Sequence, residues 1–270
     1  MGAADVNPNK KSVTVFMIHI VLLRGLAREA AHWLDFPDQL QTRLQILWGD
    51  NYQLHLVDFP GCGKYFQQNA LASVADMTEF ARNEITETKP GTDPLYLLGI
   101  SMGGMVALDW AQRYPRAVNG LVLINSSAGN HPLWWRLRPA AWPTMVRALL
   151  TSSQAREAGV LKTVSNNAAD YAHNLKQWLA IQQQRPVSRA TIITMLRAAA
   201  HFRPRSTCAP AGLVLASEHD RMVSVRASEA IARQFHWPIN KHPSAGHDLP
   251  MDDPHWVATE IAHWLAHKYS

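Results

Sequence analysis

The chain has 270 residues, 47% of them hydrophobic, enough for one large α/β domain with a sizeable core and an inserted subdomain. Its formal net charge is +5, from 26 basic and 21 acidic side chains, which favours solubility and a mild attraction to anions. No basic run interleaved with aromatics, no helix-turn-helix and no zinc pattern accompanies that charge, which argues against nucleic-acid binding; the two cysteines, Cys62 and Cys208, lack metal-ligand spacing, and their scarcity suits a reducing cytoplasm.

Residues 1–11 are polar and basic. The apolar stretch Val13–Leu23 is interrupted by His19 and followed by Arg24. It is too short to span a membrane, and no small-residue cleavage site follows it, so it reads as core. A cytoplasmic protein without a stable membrane anchor is expected. Val13–Ile18 and Ile20–Leu23 predict one or two buried strands. Helical spacing follows over Glu29–Trp48, through Trp33, Leu40, Leu44 and Leu47. Leu54–Asp58 predicts the next strand, closed by Phe59-Pro60-Gly61-Cys62-Gly63. Ser73 caps a helix expected to run to about Thr88. Leu95–Gly99 reads as a strand, Met102–Tyr114 as a helix stopped by Pro115, and Leu121–Ile124 as another strand.

The alternation breaks over 126–207, which contains no strand-like run. Pro132, Pro139 and Pro143 punctuate its first part, and helical periodicity covers Asn167–Arg185 and Ser188–Phe202 on either side of Pro186. A strand at Leu213–Ala216, a helix at Val225–Phe235 and a final helix from Asp253 to about His267 complete the order. The fold class expected is α/β: a mostly parallel central sheet with helices on both faces. The core spans 1–125 and 208–270, and 126–207 is an inserted helical cap.

Gly99-Ile100-Ser101-Met102-Gly103 sits between a strand and a helix, the context that a nucleophile elbow requires. There a serine lies on a sharp, strained turn with its hydroxyl presented outward, and the flanking glycines let neighbouring backbone cross closely. A serine hydroxyl is a weak nucleophile, so it needs a base and an acid to orient that base. The expected chain order is serine, acid, histidine. Asp220, in Glu218-His219-Asp220-Arg221, follows the strand 213–216; His247, in Gly246-His247-Asp248, precedes the last helix. Both fall at the carboxyl edge of the sheet, where open α/β sheets bind ligands. His242 and His255 compete with His247, but one falls in the last strand and the other on the helix. Glu218 and Asp248 compete with Asp220; Glu218 is expected to face solvent or cap the loop, and Asp248 would have to fold back on its neighbour. Backbone N–H groups of Met102 and Leu26 are the candidate oxyanion hole.

Five segments together resemble the α/β-hydrolase superfamily, of the capped serine esterase type: Leu22-Leu23-Arg24-Gly25-Leu26, Val57-Asp58-Phe59-Pro60-Gly61-Cys62-Gly63, Gly99–Gly104, Glu218–Val223 and Ala245–Pro250. The resemblance covers nearly the whole chain and is far more specific for fold than for substrate. Relatives that use an elbow aspartate, the dehalogenases and epoxide hydrolases, are disfavoured by Ser101. The resemblance also offers an acid after the strand 121–124 as an alternative, but Asn125 stands there. Members often carry His-Gly where this chain has Arg24-Gly25; that histidine supports loop packing, so the triad is unaffected. Arg24 either brings positive charge to the mouth of the site, pairs with a carboxylate or faces the surface.

The implied activity is hydrolysis of carboxylic esters through an acyl-enzyme, with no metal or organic cofactor. The same triad also serves thioesters, carbon–carbon bonds of ring-cleavage diketones and N-terminal peptide bonds, and a non-hydrolytic ligand receptor is the reading from another class. Trp134, Trp135, Trp142 and Trp178 either line an apolar pocket with Arg24 or hold cap helices together. The substrate expected is a small ester with an apolar acyl or aromatic part. Arg136, Arg138, Arg147 and Arg156 form a solvated basic face or dock an acyl-carrier protein.

Overall fold

The computed structural model describes residues 16–86, 91 and 93–269. Among these, six strands form one sheet: β1 (Ile18–Leu23), β2 (Tyr52–Val57), β3 (Leu95–Ile100), β4 (Gly120–Ile124), β5 (Ala211–Ser217) and β6 (Ile239–His242). The order is β2-β1-β3-β4-β5-β6, and every pairing is parallel. The chain builds outward from β1 to β2, then crosses back to lay β3 on the other side. That reversal opens a crevice at the carboxyl ends of β1 and β3. Leu23 pairs with Gly99, so the segments leaving the two strands start level with each other.

Side-chain parity divides the core into two layers, as the two-residue period of a strand requires. Val21, Leu23, Leu97, Leu123 and Val214 face one layer. It is closed by α2 (Val74–Thr86), α3 (Met102–Arg113) and, further along the chain, α9 (Val225–Phe235). Ile20, Leu22, Leu98, Val122 and Leu215 face the other, covered by α1 (Phe36–Trp48) and α11 (Pro254–Tyr269). Both faces of the central strands β1, β3, β4 and β5 are therefore buried, which is why these strands read as nearly continuous apolar runs.

Between β4 and β5 lie five helices: α4 (Leu133–Arg136), α5 (Trp142–Leu150), α6 (Ser153–Val164), α7 (Tyr171–Gln184) and α8 (Arg189–His201). Ser152 and Ser188 cap α6 and α8 by accepting from Ala155 and Thr191 N–H. Trp178, Leu161 and Val164 meet Met251 of α10 (Leu249–Asp252) in an apolar seam between this layer and the core.

Several boundaries differ from the sequence expectation or fall outside the described residues; the helix expected over 167–185, for one, starts at Tyr171. The first strand is a single element starting at Ile18; Val13–Val15 lie outside the described residues. The continuous helix expected over 29–48 is a 3-10 turn, Ala30–Trp33, and then α1. The break has a cause: Leu34 takes φ 48°, and Pro37 sits in the first turn of α1, where its missing N–H costs nothing. The helix after Ser73 is described to Thr86, and Thr88 lies outside the described residues.

Candidate active site

Ser101 occupies the turn between β3 and α3 with φ 55° and ψ −117°. That conformation costs a non-glycine residue about 1–3 kcal/mol and persists only where the surroundings enforce it. They do so from both sides. Ser101 N–H donates to the Ile124 carbonyl at 2.9 Å, and Ser126 Oγ donates to the Ser101 carbonyl at 2.7 Å. A Cβ at Gly99 would overlap the Gly103 carbonyl, and one at Gly103 would overlap the Leu23 carbonyl. The glycine pair is thus demanded by the helix lying directly against the strands.

Asp220, at the end of the loop after β5, is almost fully buried. One carboxylate oxygen accepts from the N–H groups of Met222 and Val223, at 2.7 and 2.9 Å. The other lies 2.7 Å from His247 Nδ1. An ionised carboxylate only accepts, so Nδ1 carries the proton of this bond and the ring lone pair is left on Nε2. Burial pulls the His247 pKa down, but Asp220 and Asp248 pull it up, and the net shift is upward. Ser101 and His247 line one cavity of about 240 Å³.

The loop that carries His247 is fastened by Asn125, which follows β4 with φ 45°. Its side-chain nitrogen donates to the carbonyls of His247 (2.8 Å) and Gly246 (3.2 Å) and to Ser217 Oγ (3.0 Å). Its oxygen accepts from Ser217 N–H at 2.8 Å. Asn125, at the position that the resemblance offers to an acid, is therefore a buried strut.

The loop leaving β1 lies beside the elbow. A Cβ at Gly25 would come within 3.3 Å of Ser101 Cβ and 3.8 Å of its Oγ, so the glycine keeps that approach uncrowded. Leu26 follows it in the cavity wall, as does Met102 at the start of α3. The first N–H groups of a helix have no partner within it, which leaves that of Met102 available for an anion.

Arg24 is buried and bidentate to Asp248, with Nη1–Oδ1 at 3.0 Å and Nη2–Oδ2 at 2.5 Å, and its guanidinium stacks over Trp33. Asp248 thus turns away from its neighbour's imidazole to an arginine 224 positions distant. Arg28 pairs with Glu157 of α6 at 2.5 Å and lies over the Trp178 ring. Arg185 pairs with Glu29 at 2.5 Å. Sequence reasoning offered a carboxylate partner for Arg24 without naming it and missed the pairs of Arg28 and Arg185, because nothing in the spacing of the partners announces them.

The four tryptophans separate. Trp178 lines the cavity; Trp134, Trp135 and Trp142 are not among its walls. Trp134 and Trp142 are 62% and 46% exposed, because other residues of the same segments face the cavity: Leu137 after α4, and Met145 and Ala148 on α5. Of the competing acids and bases, Glu218 is exposed beside Lys241, at 3.7 Å. His242 bonds Asp253, at 3.2 Å, and His255 bonds Arg43 on the far surface.

The alpha/beta hydrolase family model matches residues 20–260. A pimeloyl-[acyl-carrier protein] methyl ester esterase from Yersinia enterocolitica is 25% identical over 253 residues, covering 86% of this chain and 92% of that protein. An esterase from Thermogutta terrifontis superposes with a TM-score of 0.67 at 20% identity, over 94% of this chain and 91% of its own. An enol-lactonase from Burkholderia xenovorans gives 0.70 at 14% identity, over 92% and 91%. With its elbow, its parallel sheet and a family match over most of its length, the chain belongs to the alpha/beta hydrolase family.

Proposed function

We propose that this protein is a serine hydrolase that cleaves carboxylic esters through a covalent acyl-enzyme. The observation that carries the reading is the 2.7 Å contact between His247 and Asp220 in the wall of the cavity that also holds the strained Ser101. Ser101 Oγ attacks the ester carbonyl as His247 Nε2 takes its proton. Asp220 holds the ring and stabilises the imidazolium. The N–H groups of Met102 and Leu26 receive the oxyanion. His247 returns the proton to the departing alcohol, then draws one from the water that releases the acid and restores Ser101.

The cavity walls favour an apolar acyl part: Leu26, Met105, Leu137, Val160 and Ile192 line it, with Trp178. The Yersinia relative acts, by its name, on a methyl ester borne by an acyl-carrier protein, which supports the ester over other bonds to the same triad. The test is Ser101→Ala assayed on p-nitrophenyl esters of increasing acyl length. Turnover should fall by about 10⁴-fold or more while the fold and ligand binding persist. Ester hydrolysis retained by the folded variant would refute the nucleophile. Faster turnover of acyl-thioesters or diketones than of any ester would move the reading to another bond.

A further inference from the structure

One wall of the cavity is apolar on both of its sides. Met145 and Ala148 of α5 face the cavity, as do Ile192 and Leu196 of α8. On the outside, Trp142, Val146 and Leu150 form a stripe one turn apart along α5, 46%, 57% and 74% exposed. Leu133 and Trp134 of α4 and Ile193 of α8 are exposed as well. The three helices are tied to each other at their ends. Trp142 Nε1 donates to the Leu137 carbonyl, Arg136 reaches the Ala199 carbonyl, and Arg189 reaches the Thr151 carbonyl. A surface helix ordinarily turns its apolar stripe to the core and polar residues to water. Here α5 turns Trp142, Val146 and Leu150 to water as well.

Charge marks the same layer. Residues 126–207 hold eleven Lys or Arg against two Asp or Glu, a net +9 where the whole chain carries +5. One of the two acids, Glu157, is buried against Arg28, so Asp170 is the only acid this segment exposes. Arg147 stands beside Val146 on α5, and Arg189 and Arg197 bracket Ile193, one turn to each side on α8. Tryptophan and aliphatic side chains in water, flanked by arginines and almost without acids, are the composition of a surface that sits in the headgroup region of a lipid layer. An acidic protein would account for the arginines. It would leave six large apolar side chains on three joined helices unexplained.

We propose that the outer face of α4, α5 and α8 docks reversibly on an anionic lipid surface, through Trp142, Val146 and Leu150 in the interface and Arg147, Arg189 and Arg197 against the headgroups. Leu133 lies both on this face and in the cavity wall, so the docked face carries the cavity's margin to the lipid. An ester dissolved in the lipid layer then enters without crossing bulk water. No helix among the described residues is long and apolar enough to cross a membrane, so the attachment is peripheral.

The experiment is co-sedimentation of the full chain with vesicles of phosphatidylcholine alone and of equimolar phosphatidylcholine and phosphatidylglycerol, beside turnover of the water-soluble p-nitrophenyl acetate. The chain should sediment with the anionic vesicles and not with the neutral ones. Val146→Ser combined with Leu150→Ser should lower that partitioning by about tenfold. Arg147→Gln combined with Arg197→Gln should lower it severalfold and flatten its salt dependence. All four side chains lie outside the cavity, so acetate turnover should stay unchanged and reports that each variant is folded. Failure to bind anionic vesicles would overturn the proposal. So would binding that survives the serine substitutions, or binding confined to an acidic carrier protein. The hydrolase reading stands or falls separately, on Ser101→Ala.

Discussion

Replacing Asp248 by asparagine isolates the most consequential contact behind the site. The wild-type pair is bidentate and both side chains are at most 5% exposed. The introduced amide would accept a single bond and carry no charge, leaving the Arg24 guanidinium buried without its counter-ion. Breaking a buried pair from one side costs about 3–5 kcal/mol. Against a total stability of about 5–15 kcal/mol this is a large fraction. At a urea dependence of about 3 kcal/mol per molar, the unfolding midpoint should fall by about 1–2 M. Tryptophan fluorescence follows the transition directly. The double variant Arg24→Met with Asp248→Leu removes both charges, and its midpoint should return close to that of the wild type, because replacing a buried pair by apolar groups of similar size is nearly neutral.

The same substitution has a kinetic signature. In the proposed mechanism His247 must be neutral to take the serine proton, and its pKa is raised above the ordinary value of about 6.5. The acid limb of kcat/KM should therefore lie above that value in the wild type, with activity gained as pH rises through it. The Asp248 carboxylate is among the groups that raise this pKa, and Arg24 is among those that lower it. Asp248→Asn removes the first and leaves the second unopposed, so the limb should move to lower pH. A limb that moved upward, or a midpoint unchanged in urea, would show that the pair neither reaches the imidazole nor carries the load assigned to it.

Asn125→Asp exchanges the nitrogen that holds the His247 and Gly246 carbonyls for an oxygen that repels them. It should cost about 2–3 kcal/mol, a fall of about 5–10 °C in Tm, together with a loss of kcat as the histidine loop slackens. Gly103→Ala puts a methyl group into the Leu23 carbonyl and forces α3 away from β1; it should lower stability by about 3 kcal/mol in a thermal melt. Gly159→Ala, inside α6 with nothing within 4 Å of the added carbon, should raise stability by about 0.5–1 kcal/mol in the same assay. Equal effects of the two alanines would mean that backbone crowding at the elbow is not what fixes Gly103.

The parts legible in the sequence share a property: a local pattern marks their place, even where distant partners such as Ser126 and Asn125 hold their final geometry. The Gly-x-Ser-x-Gly turn between an apolar run and a helical one marks the elbow, and the loops bearing Asp220 and His247 follow the strands β5 and β6. Parity along the strands likewise sorts Leu97 from Leu98 without reference to any partner. What could not be read depends on rotation and on distant pairing. The spacing of Trp142, Val146 and Leu150 defines a stripe, but the same stripe serves a helix turned inward or outward, and residue type alone does not tell a pocket tryptophan from an exposed one. The single helix expected over 29–48 breaks for a readable reason, since Pro37 marks a new first turn. The 3-10 turn before it is held from afar, by Ala30 N–H donating to Asp58 Oδ1 at 2.7 Å.

Long-range pairing also explains why this enzyme scaffold places an arginine in its first motif. The segment 24–29 is clamped from three directions: Arg24 by the histidine loop, Arg28 by α6 and Glu29 by Arg185 just past α7. Buried pairs add little net stability compared with well-packed apolar groups, but each permits very few geometries. The oxyanion role proposed for Leu26 needs that restriction, because a backbone N–H displaced by about an ångström no longer meets the developing charge. Two of the three clamps come from the segment between β4 and β5, whose helices also line the cavity, so that segment helps set the position of Gly25 and Leu26 beside Ser101. The helices between β4 and β5 and the segment 24–29 are thus coupled, and on the proposed mechanism substitutions at Glu157 or Arg185 should lower kcat rather than act on substrate binding alone.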